Sequence, residues 1–168
     1  MSQTFATLVQ MKKMLANLDA WLAKAAAHAK ARSFDVNVLV QARLAPDQYP
    51  LVQQVQSACD TAKFAAARLS GKEAPKHPDT ETSFEELHAR IQAATAYLGT
   101  FTAKDFEGAE SRSIALPFLE GKTLTGADYL TEMATPNFYF HVTHAYAILR
   151  HGGVPVGKID YIGSLQLQ

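Results

Sequence analysis

An all-α four-helix bundle is the fold this sequence predicts, on three observations. Four stretches carry apolar residues at spacings of three and four, the period that gathers side chains on one face of a helix. Proline, glycine and capping residues mark the breaks between them. One short segment before the last helix alternates instead, which predicts an extended or hairpin excursion. The 168 residues, 48% of them hydrophobic, suit a single compact domain over 1–168 with a sizeable core.

The first helix is expected over 3–29. Phe5, Leu8, Met11, Leu15, Leu18 and Leu22 share a face, and Trp21 and an alanine run carry the pattern to about His28. In "ARSFDVNVLVQARLAPDQYP" the period changes. Phe34, Val36, Val38 and Val40 alternate, as in a strand or an extended connection, and the nearby Pro46 and Pro50 favour the connection. The second helix is expected over 47–70. Asp47 is its candidate N-cap, and Pro50 is tolerated in a first turn, where a missing N–H costs little. Leu51, Val55, Cys59, Ala62, Ala66 and Leu69 carry its buried face, and Gly71 ends it.

The third helix is expected over 83–103. In "TSFEELHARI", Thr82 with Glu85 or Ser83 with Glu86 fits a capping box, in which hydroxyl and carboxylate each satisfy a free backbone N–H. Phe84, Leu87, Ile91, Ala94, Leu98 and Phe101 form its stripe. In "RSIALPFLEGKTLTG", Ile114, Leu116 and Phe118 alternate and Glu120-Gly121 makes a turn. The fourth helix is expected over 127–151, with Pro136 kinking it or starting it anew. Gly152-Gly153 stop it, and "VPVGKIDYIGSLQLQ" reads as a non-helical tail.

Composition excludes several functions. Lys plus Arg and Asp plus Glu are 16 each, for a net charge of zero, so no basic surface points to nucleic acid. No apolar run approaches the roughly 20 residues of a membrane span. The N-terminus lacks the organisation of a signal peptide, and a cytoplasmic location is the expectation. Cys59 is the lone cysteine, flanked by helix-interior residues, and reads as a small buried thiol. No Walker loop, nucleophile elbow, GxGxxG or HExxH can be assembled, so whether the chain is an enzyme stays open. "SIALPF" lies outside the four helices and could cover a second copy, and a homodimer is the expected assembly.

The histidines of "PNFYFHVTHAYAILRHGG" are the chemical question. Asn137, His141, His144, Ile148 and His151 lie along one stripe, beside the core positions Phe138, Val142, Ala145 and Leu149. His141 and His144 are three apart, close enough to reach one ligand, although their side chains diverge by about 60°. Imidazoles hydrogen-bonded at a helix–helix seam are preferred. A metal-free small-molecule pocket at His141 comes second and a metal site third. His28 and His151 read as last-turn residues that favour the helix dipole, and His77 and His88 as solvated surface. Asp79 and Glu81 could pair with Arg90 or Lys63, and Arg150 with Asp160. Tyr139, Tyr146 and Tyr161 read as core aromatics with a wet tip.

"DTETSFEELHARI" and "PNFYFHVTHAYAILRHGGVPVGKIDYIG" resemble a domain-of-unknown-function branch of the DinB/YfiT-like superfamily. "LVQQVQSACDTAKFAAARLSGKE" is similar to that branch's second helix. The resemblance implies an up-down-down-up four-helix bundle of bacterial type. Many members hold a divalent metal through three histidines, one on the second helix and two spaced HxxxH on the fourth, and some are thiol-dependent transferases or related hydrolases. Carried onto this sequence, the later helix-four histidine falls on His141, about a dozen residues before Gly153-Val154. Its partner falls on Asn137. The second-helix position falls within Gln56 to Asp60, where Asp60 could supply a carboxylate. One of three histidines is kept, with His144 nearby. Zn or Ni is the metal such a site would take, but a carbonyl oxygen is a weaker ligand than imidazole for either. The expectation is therefore no tightly bound metal. It is joined to a degenerate relative of the metal-dependent transferases and hydrolases, with a small-molecule pocket lined by Asp60, Asn137, His141 and His144. The alternative is a non-catalytic helical module that binds an apolar ligand or a protein partner. An enclosed pocket at Asp60, Asn137 and His141 favours the first, and a filled core with an exposed apolar groove favours the second.

Overall fold

The computed structural model describes residues 2–167. Four long helices form a bundle: α1 (Gln3–Ala31), α2 (Leu51–Ser70), α3 (Phe84–Leu98) and α4 (Thr135–His151). α2 packs between α3 and α4, and α1 closes the ring against the same two helices. Side-chain pairings give the directions. Thr61 meets Asn137 and Arg68 meets Tyr129, so α2 and the last helix run antiparallel. Asp60 meets Arg90, and the Tyr97 hydroxyl reaches the Glu73 carbonyl just past α2, so α2 and α3 run parallel. Leu22 lies by Phe84 and Phe5 by Leu98, so α1 opposes α3. The order is up-down-down-up. A parallel pair needs a connection that returns along the bundle, and the stretch from Gly71 to Ser83, which has no helix or strand, makes that return.

α2 begins at Leu51, not Asp47, and its N-cap is Pro50, without a side-chain bond. The reason is tertiary. The Leu51 and Val52 N–H groups donate to the Ala42 and Val40 carbonyls, so the preceding connection satisfies donors that Asp47 would otherwise cap. That connection holds a short 3₁₀ turn, Val36–Leu39, capped by Asp35, and no strand. Ala58, Ala62, Ala65 and Ala66 of α2 are fully buried, which lets its neighbours approach closely.

At α3 the capping box is Ser83 with Glu86. The helix ends at Leu98 instead of running to 103. Thr102 and Asp105 cap a separate 3₁₀ turn, Ala103–Phe106, and Phe101 reaches the core from outside the helix. The excursion is a hairpin, with β1 (Ser113–Ala115) antiparallel to β2 (Thr123–Thr125) and Ile114 opposite Leu124. Ile114 and Leu116 are buried against the bundle, whereas Phe118 at the tip is exposed.

The last helix is entered through a helical turn, Gly126–Asp128, and a π-helical stretch, Tyr129–Ala134. In a regular α-helix the Pro136 ring would meet the carbonyl four residues back. The wider turn ahead of it removes that conflict and lets the helix continue. Gly126 is obligatory by contact: a Cβ there would overlap the Ala109 carbonyl oxygen.

The tail is not wholly irregular, because Lys158–Ile162 forms a fifth short helix, α5. Trp21 Nε1 donates to the Asp160 carbonyl, Asn17 donates to the Tyr161 carbonyl, and the Tyr161 ring stacks on Trp21. Asp160 pairs with Lys24, not with Arg150, which is exposed at the end of α4. Long-range partners on α1 thus organise a segment whose own pattern carries no helical signal.

Candidate functional site

The seam between α2 and α4 opens into a cavity of about 360 Å³. Such volumes fall within the range of small-molecule clefts, roughly 300–1,000 Å³. Asp60, Asn137 and His141 all line it, together with Thr61, Arg68 and Tyr129. His144 does not. Its Nδ1 is bonded to the Phe140 carbonyl of its own helix, and its ring lies against the Phe140 ring. Three of the four sequence candidates therefore converge and the fourth stays apart.

His141 is 8% exposed. Its Nδ1 lies 2.8 Å from Gln54 Oε1. The orientation of Gln54 is set by its other end, where Nε2 donates to the Tyr49 carbonyl, a partner only the amide NH₂ can serve. Oε1 therefore faces His141 and accepts from Nδ1–H. The imidazole is held as one tautomer, with a bare lone pair at Nε2. Burial, and then the neighbouring His144, lower its pKa from 6.5 to about 4, so it is neutral near pH 7. The Tyr49 ring lies nearly parallel to the imidazole, with centroids 6.4 Å apart.

Asn137 donates from Nδ2 to Thr61 Oγ1, and Thr61 donates to the Ser57 carbonyl. The amide oxygen of Asn137 is left as an acceptor. Asp60 is committed to cations: its Oδ1 lies 2.7 Å from Lys63 Nζ and 2.8 Å from Arg90. Arg90, 4% exposed, also binds Glu81 and Asp79 and donates to the Pro78 carbonyl. Glu81 takes a further bond from Gln56. This cluster ties the crossover link to α2 and α3, and it realises the expected pairing of Asp79 and Glu81 with Arg90.

Gln54, Arg68 and Tyr129 escaped the sequence reading, and Lys63 was named only as a partner for Asp79 or Glu81. Gln54 lies three residues after Leu51 and four before Ala58, at one edge of the apolar stripe of α2, and Lys63 lies at its other edge. A polar residue on a buried face was the available signal.

The donor set does not fit the family metal. Asp60 already neutralises two buried cations, whose charges would oppose a divalent ion. His141 offers one nitrogen and Asn137 one carbonyl oxygen. Among the described residues no group of three or more His, Cys, Asp or Glu side chains is arranged to hold a metal ion. Burial pushes the Cys59 thiol up to about 12, so it is no ready nucleophile. Outside the cavity, His88 is not simply solvated but pairs with Asp19 at 2.6 Å. His77 is half-buried, with an Nδ1 that finds no partner among the described residues.

No helix is long and apolar enough to cross a membrane among the described residues. No curated protein matches the chain. A crystal structure of a DinB family member protein from Shewanella denitrificans superposes with a TM-score of 0.92 at 49% identity, over 96% of this chain and 92% of that one. The model of a domain of unknown function, DUF1993, matches residues 5–162. With nearly its whole length matched by that domain and by a DinB structural neighbour, the chain belongs to the DUF1993 family and has a DinB-like fold.

Proposed function

We propose that the α2–α4 cavity binds a small organic molecule without a metal, and that His141 is its hydrogen-bond acceptor or general base. The observation that carries this reading is the Tyr49–Gln54–His141 relay, which holds a neutral imidazole in one tautomer beside a cavity. A packing histidine needs only a partner. A defined lone pair at a cavity wall is what binding or proton abstraction requires. The protein is then a metal-independent relative of the DinB-like transferases and hydrolases, acting in the cytoplasm. Exposed Phe118 and Phe140 further support a homodimer, to be checked by light scattering against the 18.3 kDa of one chain.

The test combines metal analysis with ligand screening. After mild dialysis and titration with Zn and Ni, no tightly bound equivalent is expected. A fragment screen read by imidazole NMR is expected to give hits that shift His141 Nε2 and vanish in Ser57→Phe, which fills the cavity. Stoichiometric metal lost in His141→Ala would overturn the reading, and so would a screen in which nothing moves His141.

The alternative, a non-catalytic binding module, draws on an apolar groove between α1 and α3 of about 460 Å³, lined by Leu22, Ala26, Val36 and Phe84. Hits confined to that groove would favour it.

A further inference from the structure

Arg68 is the cation in the cavity that the protein leaves without a counter-ion. The two buried cations of the neighbouring cluster, Lys63 and Arg90, are each matched by carboxylates. Arg68, half-buried in the cavity wall, pairs with no carboxylate among the described residues. Its guanidinium lies 5.0 Å from the Phe64 ring centre and 5.6 Å from that of Tyr129. Among the described residues its hydrogen bond is from Nη1 to the Tyr129 hydroxyl, at 3.0 Å. Tyr129 is 2% exposed, and because its oxygen accepts from Arg68 its own proton is available to donate. Two flanking rings hold the fork in place, its remaining N–H groups are unspent, and a phenol adds a further donor. That is the donor pattern a carboxylate takes.

We propose that Arg68 and Tyr129 bind the carboxylate of an organic monoanion whose apolar body lies against Phe64 and Met133, toward Asn137 and His141. This rests on the cavity reading above and names the ligand class. Charge selects a monoanion. Asp60 and Asp79 line the same cavity, and Asp60 lies eight positions before Arg68 on α2, about 12 Å along the axis. A dianion charged at both ends would meet one cation at one end and, at the other, a cluster whose three carboxylates exceed its two cations, Lys63 and Arg90, by a single negative charge. Length follows from the same spacing. Thr61, the partner of Asn137, is seven residues before Arg68, so a body of about 10 Å spans from the carboxylate site to the Asn137 amide oxygen.

The test uses the full chain and three probes: 4-phenylbutyrate, its uncharged amide, and phenethyl phosphate, each titrated by calorimetry with NMR mapping. The carboxylate is expected to bind at least ten-fold tighter than the amide and the phosphate, and to shift the Arg68 Nε–H and Tyr129 signals. Arg68→Gln should bring the carboxylate down to the affinity of the amide. Tyr129→Phe should weaken it several-fold, and Arg68→Lys should restore part of the loss. Equal binding of carboxylate and amide in the wild type overturns the anion assignment and leaves the cavity reading standing. Tighter binding of the phosphate overturns the monoanion. Absence of cavity shifts with all three probes overturns both readings. The wild-type comparison decides the matter even where a variant fails to fold.

Discussion

His141 and Gln54 share a buried hydrogen bond of 2.8 Å that joins α4 to α2 and sets which imidazole nitrogen carries the proton. The Tyr49 carbonyl fixes the amide, the amide fixes the ring, and the ring presents Nε2 unprotonated. A helix–helix contact thereby becomes a chemical specification.

Gln54→Leu removes the acceptor and strands a buried N–H. The cost should be about 1–3 kcal/mol, the usual penalty for a buried donor left unpaired. Denaturant unfolding reads the loss. Nitrogen NMR reads the tautomer, expected as Nδ1–H in the wild type and mixed in the variant. An unchanged tautomer in Gln54→Leu would refute the relay.

Acid should destabilise the protein through His141. Its folded pKa is about 4 against 6.5 unfolded, so below pH 6.5 the unfolded chain takes up the proton first. The contribution is complete above pH 6.5 and is lost as pH falls toward 4. Its size is at most about 3 kcal/mol, at 1.36 kcal/mol per pKa unit. His77, also lowered by burial and then by Lys63 and Arg90, acts in the same direction. Unfolding curves between pH 4 and 7 should therefore flatten but not level in His141→Gln. A slope identical to wild type would rule out a buried neutral imidazole.

Arg90→Met keeps length and apolar volume but withdraws the guanidinium from Asp60, Asp79 and Glu81. Breaking a buried ion cluster on one side leaves uncompensated charge, and the expected loss is about 3–5 kcal/mol. Limited proteolysis should then cut within residues 71–83, because Arg90 holds that link through Pro78, Asp79 and Glu81. Protection equal to wild type would show that the cluster does not anchor the crossover.

The four long helices were legible in the sequence because burying one face forces a 3.6-residue period onto each helix. A capping box at Thr82 or Ser83, the stop at Gly71 and the turn at Glu120-Gly121 were legible too, because caps and turns are decided by neighbours in the chain. Asp60, Asn137 and His141 could be named as a group only through resemblance. What brings them to one cavity is the antiparallel meeting of α2 and α4, which no local pattern encodes. Other features depended on partners far along the chain. α2 starts at Leu51 because Val40 and Ala42 take its first N–H groups. α5 forms where α1 supplies Trp21 and Asn17. His141 is neutral because tertiary burial, followed by the charge of His144, acts on it, and Arg68 lacks a counter-ion because the fold commits the nearby carboxylates to Lys63 and Arg90. Periodicity specifies which faces are buried. The free energy of each polar group on those faces depends on what the other helices place against it.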